Sequence, residues 1–166
     1  MHPITDEEQF FRDFPNLIRR GPQSNFRVTS PATETPNCVA YAAGDPDRIW
    51  WPGSMFPVAW PREAPAEESV AAFVAAFGLM GYHPCDSAEM EPRVEKVAIF
   101  AIGSEAPTHV AIQPADRNGW WRSKIGSNVD IEHELYAVSG PLYGAVARVL
   151  ARPRRGRYRL PELRRG

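Results

Sequence analysis

Cysteine is scarce: the chain has two in 166 residues, Cys38 and Cys85, too few for a disulfide framework. A signal peptide is also missing, because Met1 to Arg12 is polar and acidic with no apolar run. No hydrophobic stretch approaches the length of a membrane span, which argues against a membrane partner. These absences point to a reducing, cytoplasmic location, and a protein delivered by a signal-peptide-independent secretion route would share them. No folded basic motif is present, which argues against nucleic acid. No cofactor and no metal are expected: His83 and Cys85 lack two further ligands at a plausible spacing.

Other features are plentiful. Hydrophobic residues make up 43% and charged residues 23%, as in an ordinary globular protein, while 17 prolines imply long irregular connections. The net charge of −1 conceals an asymmetry: residues 1–147 carry 11 basic against 19 acidic side chains, and residues 148–166 carry 8 arginines against Glu162 alone. The length fits a single domain over 1–152, with 1–35 as an N-terminal helix and lead-in. Residues 153–166 read as a basic, solvated, partly disordered Arg-rich tail that would suit an acidic partner.

Thr35 to Gly44 reads T-P-N-C-V-A-Y-A-A-G. Pro36 suits helix entry, Asn37 an N-cap and Gly44 a C-terminal stop, which places Cys38 in the first turn, where backbone N–H groups favour a thiolate. As a free cysteine it can equally be a small buried hydrophobe. Thr5 opens a lid helix with Phe10, Phe11 and Phe14 on one face, and Pro22 to Pro36 reads as a polar connection. Trp50, Trp51 and Trp60 fall in a proline-bounded loop, as walls of a cleft or as anchors of the loop. Pro65 to Met80 carries the apolar spacing of a core helix. From Lys96 the period changes to that of strands, at 97–102, 109–113 and 120–125, joined by turns at 103–107 and 116–119 into an antiparallel meander. Asp130 to Val138 is a short helix or irregular, and Tyr143 to Leu150 is a last strand.

A helix-borne cysteine followed by a strand that opens with histidine is the order required for a Cys-His nucleophile pair. Cys38 would attack a carbonyl, His109 would act as base, and the Cys38 N–H would help hold the oxyanion. The group that orients His109 stays open between Ser123, favoured by position, and Asp130. Lys124 cannot accept a hydrogen bond from imidazole. His133 is the second choice as base, or a substrate-side group. Asn37, Trp50, Trp51 and Lys124 are the remaining candidates for substrate binding.

N-C-V-A-Y-A at 37–42 and T-H-V-A-I at 108–112, with a further strand a dozen residues on, resemble the CHAP and NlpC/P60 amidase-peptidases. The resemblance implies Cys38 as nucleophile and His109 as base; the position of the CHAP acid falls near Ser123–Lys124. Over most of its length the chain is more similar to an uncharacterised family of small bacterial proteins. That likeness is carried by S-P-A-T at 30–33, W-W-P at 50–52, S-K-I-G at 123–126 and D-I-E-H at 130–133. The expectation is therefore an α+β, papain-like domain, a cysteine helix on an antiparallel sheet of about four strands. Its activity would be cleavage or transfer at an amide, isopeptide or ester bond of a peptide or protein substrate, as in a bacterial effector or toxin. The alternatives are a catalytically silent binding module using the tryptophan loop and basic tail, and a metal site built from Cys38, His109 and His133.

Overall fold

The structure is a computed structural model that describes residues 2–53, 57–115 and 118–165. Sheet dominates it. Seven strands form one antiparallel sheet in the order β1-β8-β7-β6-β5-β9-β4: β1 (Phe26–Ser30), β4 (His83–Cys85), β5 (Val94–Ile102), β6 (Ala106–Gln113), β7 (Trp121–Lys124), β8 (Asp130–His133) and β9 (Ala145–Pro153). A small second sheet is ordered β10-β3-β2, from β2 (Ile49–Trp50), β3 (Val58–Pro61) and β10 (Leu163–Arg165). Helices are short: α1 (Glu7–Asp13), α2 (Cys38–Ala43) and α3 (Val70–Gly78). This overturns the expected papain-like core of a cysteine helix on about four strands. Among the described residues no helix is long and apolar enough to cross a membrane.

Strand β5 shows why the sheet is this large. Its run V-A-I-F-A, Val97 to Ala101, is buried on both faces, the mark of a strand covered from two sides. Val97 and Ile99 join a core with α2, α3, Trp50 and Trp60, while Ala98 and Phe100 join a second core with Phe10, Phe14, Leu17 and Tyr143. One face of the large sheet thus carries α2, α3 and the small sheet, and the other carries α1.

Several segments whose sequence reads as irregular are strands because pairing, not local propensity, orders them. Arg27 and Val28, within the supposed polar connection, pair with Glu132 and Ile131. Ile49 and Trp50 pair in parallel with Val58 and Ala59, so the tryptophan segment belongs to the small sheet. Asp130 to His133 is a strand beside β7, followed by a 3-10 turn at Leu135–Val138. Helix α3 starts later than expected because Ser69 caps it through the Ala72 N–H, leaving Pro65 outside. Asp6, not Thr5, caps α1. The first two residues of the 116–119 turn lie outside the described residues.

The C-terminal segment is built into the fold. Leu163 and Arg164 pair with Pro61 and Trp60, and the Arg152 guanidinium is held between the rings of Tyr82 (4.3 Å) and Tyr158 (3.9 Å). Both lysines of the chain, Lys96 and Lys124, are buried. Lys96 Nζ donates to the carbonyls of Ser87 and Glu89, each at 2.7 Å, and pairs with Glu91, pinning the loop before β5.

Candidate active site

Helix α2 forms as the sequence predicts. The Asn37 side chain accepts from the Ala40 N–H, and Gly44 closes the helix in the left-handed region at φ +84°. Asn37 does more than cap: its Oδ1 also accepts from the Trp50 N–H (2.9 Å) and its Nδ2 donates to the Trp50 carbonyl (2.7 Å). The side chain joins the start of α2 to β2, which gives Asn37 a structural role. Trp50 is a buried anchor whose indole N–H goes to Asp45 (2.9 Å). Trp51 is half-buried against Phe73 and donates to Glu68. Trp60 is buried and donates to the Pro65 carbonyl. The tryptophans hold the second sheet down and do not wall a cleft around Cys38.

Lys124 is likewise structural. Its ammonium donates to the carbonyls of Thr33 (2.5 Å), Gly126 and Asn128 (3.0 Å). Three donors meet three acceptors, so nothing is left for substrate. The clamp ties the segment leading into α2 to the turn after β7. Burial lowers the Lys124 pKa, against the opposing pull of Asp130 and Cys38.

The faces of the sheet separate the remaining candidates. Lys124 faces Asp130 and Arg122 faces Glu132 across β7 and β8, on the side of α2. Ser123 pairs with Ile131 and Trp121 with His133 on the side of α1. His109, opposite Phe100, lies on that same side. Asp130 is therefore turned away from His109 and does not orient it. Burial raises its carboxyl pKa, and one oxygen is buried without a partner among the described residues.

His109, Ser123 and His133 form one buried chain of hydrogen bonds. His109 Nε2 lies 2.8 Å from Ser123 Oγ, Ser123 Oγ lies 2.7 Å from His133 Nε2, and His133 Nδ1 lies 2.7 Å from the Glu134 carbonyl oxygen. A carbonyl can only accept, so His133 Nδ1 carries a proton. Burial depresses the His133 pKa to about 4, so near pH 7 its ring is neutral and Nε2 must accept. The Ser123 hydroxyl donates there and has its lone pairs left for His109 Nε2–H. His109 is neutral too, since burial and then the charge of His133 hold its pKa well below 6.5. Every proton along the chain is thus assigned, and His109 Nδ1 is left as a bare lone pair, buried and without a partner among the described residues.

Tyr143 caps this imidazole, its ring stacked on His109 at 4.0 Å and 7°. Thr108 Oγ1 donates to the Tyr143 carbonyl at 2.6 Å. The next residue must be glycine: a Cβ on Gly144, at φ +72°, would lie 2.1 Å from the Ala101 carbonyl oxygen.

Cys38 arrives from the other face. Pairing between β6 and β7 is reduced to Ile112 with Arg122, leaving the two strands unladdered toward His109. There α2 packs on β6 and β7, with the backbone N–H of Val110, the residue after His109, and those of Val39 and Cys38 itself near enough to the sulfur to lower its pKa. The thiol is therefore placed at the split between strands that the His109–Ser123 bond spans from the opposite face. It forms no hydrogen bond with His109 Nδ1 in this structure. Burial pushes the Cys38 pKa up to about 11, against the smaller lowering effect of the three N–H groups and Lys124. Both groups rest neutral, a thiol and an imidazole, where helix-start placement predicts a thiolate. A six-residue helix with a buried sulfur offers too little field to offset the desolvation.

Ser123, Lys124 and His133 are all visible in the sequence, but their roles are not separable without the face on which each lies. Nothing in the sequence marks Tyr143 as part of the site, since it reads as the start of a strand. The three-ligand metal site does not form, because both imidazole Nε2 atoms point at the Ser123 hydroxyl. Among the described residues no group of three His, Cys, Asp or Glu side chains is arranged to hold a metal ion.

A family model described as a domain of unknown function, DUF7689, matches residues 27–151. The chain belongs to that family. The matched span contains Cys38, His109, Ser123, His133 and Tyr143, and leaves out α1 and β10. Comparisons with curated proteins and with solved structures returned no match.

Proposed function

We propose that this chain is a thiol-dependent hydrolase or acyltransferase acting on an amide, isopeptide or ester bond of a peptide or protein. One observation carries the reading. The chain from the Glu134 carbonyl through His133 and Ser123 fixes the His109 tautomer and leaves Nδ1 as an unpartnered base, at the strand split that also holds the Cys38 thiol. Tyr82 Oη and Gln113 Oε1 are also buried without a partner among the described residues; the His109 nitrogen supports the reading because it is a base whose tautomer is fixed.

Cys38 is the nucleophile and His109 the general base, with Ser123 and His133 as positioning residues. Because both partners rest neutral, the proton leaves sulfur as sulfur attacks. The S–H proton passes to His109 Nδ1 while the S–C bond forms, and Nδ1–H then protonates the departing amine or alkoxide as the acyl bond breaks. Water or an amine, deprotonated by the same nitrogen, then attacks the acyl carbonyl, and as the S–C bond breaks Nδ1–H returns the proton to sulfur, restoring the neutral thiol and imidazole. Cys38 and Cys85 are both free thiols, which supports action in a reducing compartment such as the cytoplasm.

The test uses a panel of p-nitrophenyl esters with the Cys85→Ala chain. The expected result is a stoichiometric burst of nitrophenol and an acyl adduct on Cys38 by mass spectrometry. Cys38→Ala should abolish the burst and His109→Ala should slow it by about 10²-fold or more. Ser123→Ala should leave an active chain whose pH profile is displaced, the mark of a residue acting through His109. A burst unaffected by His109→Ala, or an adduct on other side chains only, would sink the reading.

A further inference from the structure

We propose that the cavity between α1 and the turn at 125–128 is the substrate subsite of the Cys38–His109 centre and receives a cationic side chain, lysine or arginine. The inference rests on the acyl-transfer reading above and names its substrate class. The cavity measures about 310 Å³, room for one large side chain. Phe10, Phe14, Ile125 and Leu142 give it apolar walls beside polar Thr5, Gln9, Ser127 and Asn128, and both charged residues that line it are acidic, Asp6 and Asp13. Asp6 Oδ1 accepts the Gln9 N–H and Asp13 Oδ1 accepts the Gln9 amide, which orients both carboxylates without neutralising either. The arginines nearby are paired elsewhere, Arg12 with Glu8 and Arg19 with Glu7. Uncompensated negative charge at the mouth of an apolar slot fits an aliphatic stem ending in a cation.

Tyr143 joins this cavity to the chemistry. It is one wall, it is only 7% exposed, and among the described residues its hydroxyl makes no hydrogen bond. Its ring lies flat on His109. The Asp13 carboxylate is near enough for its charge to bear on that hydroxyl. A cation held by Asp13 would therefore sit one aromatic ring from the base. The unpartnered hydroxyl is a hydrogen-bonding group for the ligand's backbone. Helix α1 lies outside the span matched by the family model, whereas the thiol and imidazole lie inside it. Charge recognition and bond chemistry thus come from different parts of the chain.

The experiment measures binding apart from turnover. The full-length Cys38→Ala chain is titrated with the N-acetyl methylamides of L-lysine, L-arginine and L-norleucine, followed by amide NMR. The lysine or arginine ligand should bind at least about tenfold more tightly than norleucine, which lacks the charge. Shifts should concentrate at Asp13, Ser127, Leu142 and Tyr143, and weaken as salt is added. Asp13→Asn, which keeps an oxygen for Gln9, should erase the preference while the spectrum stays dispersed. Comparable binding of norleucine, shifts elsewhere, or no binding at about 10 mM would overturn the subsite; these three outcomes are measured with Asp13 intact and do not depend on the Asp13→Asn chain folding. The two readings fail separately. Cation-selective binding without an ester burst would leave the subsite and remove the hydrolase, and a His109-dependent burst without cation selectivity would do the reverse.

Discussion

At the scale of the residue, the two imidazoles are held neutral by burial, and this has a measurable cost in acid. His133 carries a folded pKa of about 4 against 6.5 for the free side chain. A depressed pKa contributes stability that is fully present above pH 6.5 and is lost as pH falls toward 4. The difference corresponds to about 3 kcal/mol for this group, and His109 adds in the same direction. Urea unfolding midpoints should therefore fall steeply between pH 6.5 and 4, and His133→Gln should flatten that slope by about one proton's worth. Cys38 has the opposite sign: its raised pKa holds stability below pH 9 that drains away as pH climbs toward 11. A chain whose urea midpoint does not change between pH 6.5 and 4 would show that the imidazoles are not buried as described.

At the scale of the element, the site depends on how α2 is delivered to the split between β6 and β7. Lys124 grips the segment before α2 at Thr33 and the turn after β7 at Gly126 and Asn128. Lys124→Met keeps the stem and removes the ammonium, leaving three carbonyls without their donor; a loss of about 3 kcal/mol is expected, read from chemical denaturation. Faster amide exchange at 31–37 should accompany it, and unchanged exchange there would refute the clamp. Much of this level is legible in the sequence. Asn37, Cys38 and Gly44 mark the start and stop of α2, and the meander from 97 to 125 follows from its period. What escapes is long-range pairing: β1, β2, β3 and β8 are two to five residues long with little periodicity of their own, and only a partner strand makes them extended. The site is affected likewise. T-H-V-A and S-K-I-G point to His109 and Ser123, and Lys124 falls as orienter on chemistry alone, yet Asp130 can be set aside only once the pleat has put it on the far face.

At the scale of the whole molecule, the arginine-rich end is a component of the fold, which its composition, that of a solvated tail, does not foretell. Charge composition describes solvation, whereas a guanidinium held between two tyrosines and a strand edge open at β3 are tertiary facts. Gly81 reflects the fit, since a Cβ there would lie 2.9 Å from the Tyr158 ring. Tyr158→Ala should cost about 1 kcal/mol, lowering the melting temperature by about 2–4 °C for a chain of this size. An unchanged melting temperature would mean that the segment adds nothing to stability.

The burial of both lysines has a chemical consequence for the protein itself. With Lys96 and Lys124 engaged by backbone carbonyls inside the fold, the native chain presents no lysine amine to an acyl donor. An acyltransferase of the kind proposed would ordinarily have its own surface as the nearest acceptor. On that reading the folded chain is exempt from lysine self-acylation, so lysine acylation of the chain would report its unfolding.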